Sequence, residues 1–294
     1  VSGLVEKRVA VVGVGGLGCP AALAVVQAGV RHVTLVDPDR VETSNLHRQP
    51  IYGPADVGRV KVEAAAEALR HSRADLEVSA RAERLIAANA RELFNSHDLV
   101  LDGTDDIAAK LALSDAAVAS GTPLVYAGAV GISGQAMLIA PGGPCLRCVF
   151  EEVPAEAPTC AQAGILGTVV GVLGAIQASL GLDALAGKGR PGVLIRVDGR
   201  RMVQREVSIG RAADCPVCRA KATLDITREV CPMTYVRTKL QLEALSPGDV
   251  LEVLLAGEEP LKNVPRSARD EGHEVLSVNP QPGGSWRLLL RKRG

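Results

Sequence analysis

Short apolar runs alternate with longer stretches of helical period along the first two thirds of the chain. Val9–Val12 is apolar and β-prone, and Ala21–Ala28 reads as a helix that stops at Gly29. Val33–Asp37, VTLVD, is a second strand ending in an acid. Residues 44–50, SNLHRQP, are polar and fit neither period. Val57–His71 is an amphipathic helix that opens with Gly58 and Lys61. Leu76–Ala80 and Asp98–Leu101 are strand candidates, Ile107–Ser120 is a helix, and Leu124–Ala127 and Gln135–Ala140 are apolar strands. Strands alternating with helices predict an α/β fold with a Rossmann-like, doubly wound, mainly parallel sheet. Val193–Val197 and Met202–Ile209 add two more β-prone runs.

The pattern restarts at Leu224. Leu224–Thr227 is a short strand, and Cys231-Pro232 opens a helix to about Leu245 that Ser-Pro-Gly stops. Val250–Leu255 is a strand, Glu259–Glu271 a helix, and His273–Val278 and Trp286–Arg291 are strands. This β-α-β-α-β-β order predicts a small two-layer α/β sandwich over residues 224–294. The first domain then spans residues 1–219, and the polar residues 220–223 form the linker.

One segment has the length of a membrane span. Ala157–Leu182 carries no charge, enough to cross a bilayer as a helix. Five glycines, two glutamines and no flanking Lys/Arg or Trp/Tyr belt favour a buried helix of an α/β domain instead.

Composition narrows the function classes. The formal net charge is zero, so electrostatics gives no case for nucleic acid or an anionic membrane. Aromatic residues make up 2 % of the chain, too few for a base-stacking platform. No basic-then-apolar leader opens the sequence, and the expected location is the cytoplasm. Four of the seven cysteines fall in two C-x-x-C pairs, Cys145/Cys148 and Cys215/Cys218. That spacing suits a four-thiolate zinc site better than a disulfide framework.

The candidate chemistry starts behind the first strand. Gly13, Gly15 and Gly18 fit G-x-G-x-x-G, with Gly16 between them. Such a strand–turn–helix lets backbone N–H groups approach phosphate oxygens. Asp37, at the tip of the second strand, is placed for ribose hydroxyls. Asn45, Arg48 and Gln49 are donor-rich side chains nearby. Asp102-Gly-Thr-Asp-Asp106 is an acidic turn at a strand's C-terminal end, where open α/β sheets bind ligands. Cys19 stands at a helix start, where the dipole lowers a thiol pKa, but packing suits that position better.

GVGGLGCP, VDPD, SNLHRQ, Lys61, DGTDD and the two C-x-x-C pairs together resemble the ThiF/MoeB/HesA family. These are ubiquitin-activating-type adenylyltransferases acting on small sulfur-carrier proteins. The resemblance covers about Leu4 to Arg219. It implies that the C-terminal glycine carboxylate of a Gly-Gly carrier attacks the α-phosphate of ATP, giving an acyl-adenylate and pyrophosphate. By the same resemblance Arg48, Gln49 and Lys61 contact phosphates, Asp37 takes the ribose with Asn45 beside it, and Asp105 holds Mg²⁺. The resemblance further implies a homodimer, and four cysteine ligands, which leave no open position, predict a structural Zn²⁺. Cys160 matches a cysteine that some members link covalently to the carrier. The family's opening helix, with an Arg-Tyr-x-Arg-Gln-like stretch, has no counterpart in the Val-Ser-Gly start. Asp106 and Lys110 replace the more usual Asn and Arg.

DITREVCPMTYVRTKLQLEALSPGDVLEV resembles the TusA/SirA sulfur-relay family. There a Cys-Pro pair opens the first helix, whose N-terminus stabilises a thiolate or persulfide anion. Thr234 replaces the second proline of the usual Cys-Pro-x-Pro. The resemblance implies that Cys231 accepts sulfur from a cysteine desulfurase or another persulfide donor and passes it to the activated carrier, leaving a thiocarboxylate. Three alternatives stay open: a conjugating activator that uses a Cys160 thioester, a non-catalytic scaffold for carrier and donor, and a nicotinamide dehydrogenase. The last leaves SNLHRQ and the cysteine pairs without a role.

Overall fold

The structure is a computed structural model that describes residues 3–150, 164–212, 215, 217–218, 222–229, 233–245, 247, 249–281 and 284–293. The chain separates into two compact units, Val1–Arg211 and Ala212–Gly294.

The large unit is built on one eight-stranded sheet. Its strands are β1 (Arg8–Val12), β2 (His32–Val36), β3 (Glu77–Arg81), β4 (Leu99–Asp102), β5 (Leu124–Val130), β6 (Ser133–Ile139), β7 (Val193–Asp198) and β8 (Val203–Ser208). The order is β3-β2-β1-β4-β5-β6-β7-β8. The first five pair in parallel, and β5 to β8 pair antiparallel. The chain therefore reverses direction across the sheet between β1 and β4, the crevice where such sheets bind ligands. Strands β1 and β4 are buried nearly throughout, as expected of parallel strands covered on both faces.

Helices α1 (Gly18–Gln27), α2 (Lys61–Ser72), α4 (Ile107–Ser120) and α6 (Gly167–Leu185) pack on this sheet, and α3 (Ala87–Asn95) packs on α4. The short α5 (Leu146–Val149) lies between β6 and α6 in sequence. The amphipathic helix starts at Lys61 rather than Val57, because Gly58 takes a positive φ of +87° and leaves the helical path. The sequence reading missed α3 altogether. Residues 44–50 contribute to a 3-10 turn, Thr43–Arg48.

The apolar helix α6, whose one charged residue is Asp183 near its end, is the one helix among the described residues long and apolar enough to cross a membrane. It packs against α1, β5 and β6. Gln177, at its middle and fully buried, donates from Nε2 to the backbone oxygens of Asp102 and Val125 at 2.9 and 2.8 Å. Its glycines permit close approach. A Cβ on Gly181 would lie 2.7 Å from a Leu99 methyl, and one on Gly174 would lie 2.4 Å from the Pro20 ring. One face of the helix, with Val169, Val170, Leu173, Gly174, Gln177, Ala178 and Gly181, is buried against the unit. Residues 151–163, which include Cys160 and the start of the predicted helix, lie outside the described residues.

The small unit holds a four-stranded sheet ordered β11-β12-β10-β9. Its strands are β9 (Ala222–Asp225), β10 (Val250–Ala256), β11 (Glu274–Pro280) and β12 (Ser285–Arg291), with helices α7 (Met233–Glu243) and α8 (Glu258–Asp270). Strands β9 and β10 are parallel, and β12 joins β10 and β11 antiparallel. Leu251, Val253 and Leu255 alternate inward on β10 and are fully buried, meeting Leu242 of α7 and Val264 of α8. This is the predicted β-α-β-α-β-β layer order.

Candidate active site

The loop after β1 and the loop after β4 meet backbone to backbone. Gly13 has φ +83°, and a Cβ there would lie 2.6 Å from the carbonyl carbon of Gly103. A Cβ on Gly18 would lie 1.9 Å from the Gly13 oxygen. No side chain fits at either point, so both loops end on the same side of the crevice. Gly15 is more open. The nearest atom to a Cβ there is Gln49 Nε2 at 3.6 Å.

Asp37 is buried at the end of β2 and does not stand free. Its Oδ2 accepts the Val14 N–H at 2.7 Å and its Oδ1 accepts the Asp39 N–H at 2.9 Å. Burial pushes this carboxyl above its ordinary range, and the Lys61 charge opposes that shift. The acid therefore braces the glycine turn as well as lining the cavity. Lys61, the first residue of α2, is buried at 6 % exposure. Its Nζ lies 3.0 Å from Asp39 Oδ2. Asp39 is the partner that the sequence reading passed over, although it stands in the same VDPD run.

The 3-10 turn gathers the remaining polar groups. Arg48 donates to Asn45 Oδ1 and to the Ser44 oxygen, and Asn45 Nδ2 donates to Glu42 Oε2 at 3.2 Å. Gln49 is buried, and among the described residues its Oε1 has no hydrogen-bond partner. Behind the turn, the Tyr52 hydroxyl and the Cys19 thiol both donate to the Val14 oxygen, at 2.9 and 3.4 Å. Burial pushes the Cys19 thiol up to about 12, so desolvation outweighs the helix start and the residue packs.

The loop after β4 supplies the acids. Asp105 is exposed on the cavity wall. Asp106 caps α4, accepting the N–H groups of Ala108 and Ala109 at 3.4 and 3.0 Å. Asp102 is fully buried, with Oδ2 held 3.0 Å from Lys110 Nζ. Lys110 also donates to the Ala127 oxygen at 2.6 Å and lies 5.1 Å from the Tyr126 ring centroid. This Lys110–Asp102–Tyr126 group was not anticipated. Asp102 and Lys110 are joined across the turn into α4, and the β4–β5 pairing sets Tyr126 beside Asp102.

One cavity of about 1580 Å³ joins these groups. Gly13, Gly15, Gly16, Asp37, Asn45, Arg48, Gln49, Lys61 and Asp105 all line it. It continues over β5 to β8, past Gln135 and Arg196. That is larger than the roughly 300–1,000 Å³ of a typical small-ligand pocket. A glycine turn and two cations suit a nucleoside triphosphate, and the orphaned Gln49 Oε1 calls for an N–H or O–H donor such as a base or ribose offers. Asp105 is a hard oxygen donor of the kind Mg²⁺ takes alongside phosphate oxygens.

Within the large unit the thiol sulfurs of Cys145 and Cys148 lie 3.9 Å apart, the spacing of two sulfurs each about 2.3 Å from one Zn²⁺. Cys215 and Cys218 of the second pair are both buried. Cys231 lies outside the described residues, as does Cys160.

Comparison with known proteins follows the same division. The model of the ThiF family matches residues 2–217, and that of the sulfurtransferase TusA matches residues 222–292. An adenylyltransferase and sulfurtransferase, uba4 of Emericella nidulans, is 39 % identical over 75 % of this chain and 50 % of its own length. The chain thus spans about half the length of that relative. The ThiS adenylyltransferase of Escherichia coli is 36 % identical over 73 % of this chain and 87 % of its own length. Among solved structures, E. coli MccB with ATP superposes with a TM-score of 0.65 at 20 % identity, covering 73 % of this chain and 68 % of MccB. That likeness speaks for the fold of the large unit alone. On the family match and the identity to the ThiS adenylyltransferase, the chain belongs to the ThiF family, and it carries a TusA-type segment behind the ThiF region.

Proposed function

We propose that the chain uses ATP to adenylylate the C-terminal glycine of a small ubiquitin-like sulfur-carrier protein and then converts that carboxyl group to a thiocarboxylate. Residues 1–219 perform the activation, residues 224–294 relay the sulfur, and residues 220–223 join them. The observation that carries the reading is the single cavity. It holds a phosphate-binding turn, two cations and an acid at one end, and an open sheet face long enough for a polypeptide tail at the other. The names of the relatives, an adenylyltransferase for ThiS and adenylyltransferase–sulfurtransferases, support the same chemistry.

The carboxylate oxygen attacks the α-phosphorus, and the bond to the β-phosphate oxygen breaks to release pyrophosphate. Positioning and charge stabilisation account for most of the acceleration in phosphate chemistry. Lys61 is fixed by Asp39, and Arg48 by Asn45, so neither cation must be ordered when ATP arrives. Asp105 would hold Mg²⁺, which screens the phosphate charge from the incoming carboxylate. Zn²⁺ at Cys145, Cys148, Cys215 and Cys218 would be structural, since four thiolates leave no open position.

A persulfide on Cys231, loaded by a cysteine desulfurase or another persulfide donor, then attacks the acyl carbon and expels AMP. The product is an acyl disulfide between carrier and Cys231. A thiol reductant cleaves its S–S bond and releases the thiocarboxylate. We carry over the cytoplasm and the homodimer from the family as part of this reading.

Mass spectrometry of the carrier after incubation with ATP, Mg²⁺, a persulfide donor and a thiol tests the relay. Cys231→Ala should still form acyl-adenylate and should yield no thiocarboxylate. Thiocarboxylate formed at the wild-type rate in that variant would overturn the relay, and loss of all transfer in Cys160→Ala alone would favour a conjugating activator.

A further inference from the structure

The antiparallel strands of the large unit carry a charge arrangement that nucleotide activation does not use. Arg196 of β7 stands directly opposite Arg205 of β8. Both are exposed, and both line the cavity. Like charges in directly opposed cross-strand positions repel. Among the described residues neither guanidinium has an ion pair or a hydrogen bond. The nearby carboxylates are engaged elsewhere. Asp198 accepts the backbone N–H groups of Arg200 and Arg201 at 3.0 and 3.2 Å. Glu206 is paired with Arg190 at 2.8 Å. Asp198 also lines the cavity but makes no ion pair with either arginine, so among the described residues both guanidinium groups stand on the cavity wall without a carboxylate partner.

The row they belong to leads inward. Arg196 is opposite Gln135 on β6, and Gln135 is opposite Gly128 on β5. Gln135 Nε2 donates to the Tyr126 hydroxyl at 2.9 Å, so the middle of the row is neutral and tied down. Val203 and Val207, both exposed, flank Arg205 along β8 and also line the cavity. One face thus runs from a neutral floor beside the phosphate turn to two arginines set among apolar side chains at the sheet edge.

We infer that Arg196 and Arg205 are specificity-determining residues that receive carboxylate side chains of the acceptor protein, upstream of its terminal glycines. The inference rests on the adenylylation reading above. Strands are about 4.8 Å apart and an extended chain rises about 3.4 Å per residue. On those spacings β7 and β8 lie roughly 19 and 24 Å across the sheet from β1, whose end carries the phosphate turn, or about six to seven residues from a carboxyl group there. Small residues near the tail end cross the floor, and acidic residues further back meet the arginines. Exposed charges at the rim of a site steer encounter and select partners rather than drive the chemical step. The pair accordingly acts on the KM for the acceptor.

The test is steady-state kinetics of the full chain with ATP, Mg²⁺ and a panel of ubiquitin-like carriers ending in Gly-Gly, ThiS included. The double variant R196E/R205E should raise the KM for the preferred carrier about tenfold, the scale of two exposed ion pairs lost and reversed. The kcat and the KM for ATP should stay within about twofold. A carrier whose carboxylates just before the tail are changed to lysine should restore the KM of the variant. The milder R196Q/R205Q should fall between and guards against misfolding of the charge-reversed chain. An unchanged carrier KM, or an equal loss with the lysine-substituted carrier, would overturn the proposal. If no carrier supports turnover by the wild-type chain, the adenylylation reading fails instead. Carrier binding without turnover, followed by fluorescence anisotropy, then still decides the arginine pair: preference for acidic over lysine-substituted carriers upholds it, and indifference overturns it.

Discussion

His97 illustrates how a single side chain sets a pH limit on the fold. It is 8 % exposed. Its Nδ1 lies 2.7 Å from the Leu93 oxygen, which can only accept, so Nδ1 carries the proton. Nε2 is then the acceptor for the Thr34 hydroxyl at 2.7 Å. Burial pushes the imidazole below its ordinary value of 6.5. The unfolded chain therefore binds a proton at this site, as pH falls through 6.5, that the folded chain refuses. Stability is full above that value and declines below it, by at most about 1.4 kcal/mol per pH unit from this group. Denaturant unfolding at about pH 7.5 and about pH 5.5 checks this. His97→Gln should lower stability at both values and flatten the difference between them, and an unchanged difference would contradict the assignment. At the same scale the proposed nucleotide residues were legible because they fall in two short runs, VDPD and SNLHRQ. What the sequence could not supply was partnership. Asp37 binding the Val14 N–H, and Lys110 meeting Asp102 and Ala127, are contacts made by sheet register.

Elements were legible where hydrophobic period and turn chemistry agreed. Strands β1, β2 and β4 fall within a residue or two of their expected positions. Helix α3 was missed although Ala90, Leu93 and Phe94 bury one face at helical spacing. It has no Ser, Thr or Asp at its start. Instead the Asn89 side chain reaches back to accept the Ile86 N–H at 2.8 Å, an unusual way to close the first turn. Helix α6 shows the opposite ambiguity, since its composition alone fits a bilayer as well as a core. Gln177 resolves it, because its amide serves two sheet carbonyls that water cannot reach. Gln177→Leu should destabilise the chain by about 1–3 kcal/mol, the cost of leaving buried acceptors unpaired. Thermal or denaturant unfolding measures it. A neutral effect would mean that the helix is not anchored to the sheet as described.

For the whole molecule, the two sequence resemblances and the two compact units give one account. In the proposed account a ThiF-type unit activates a carboxyl group, and a TusA-type segment brings sulfur to it. The hydrophobic pattern restarts after the second C-x-x-C pair, whereas the compact units divide before it, at Arg211/Ala212. The residues that would hand over sulfur, Cys160 and Cys231, were readable only as motifs. The central claim is carboxyl activation, and ATP–pyrophosphate exchange with Gly-Gly carriers and Mg²⁺ addresses it most directly. The account predicts exchange that depends on one carrier, persists in Cys231→Ala, and falls by about 100-fold or more in Lys61→Met, the scale of losing one preorganised charge at a reacting centre. Carrier-independent exchange, exchange insensitive to Lys61→Met, or no exchange with any carrier from folded, zinc-loaded protein would contradict it.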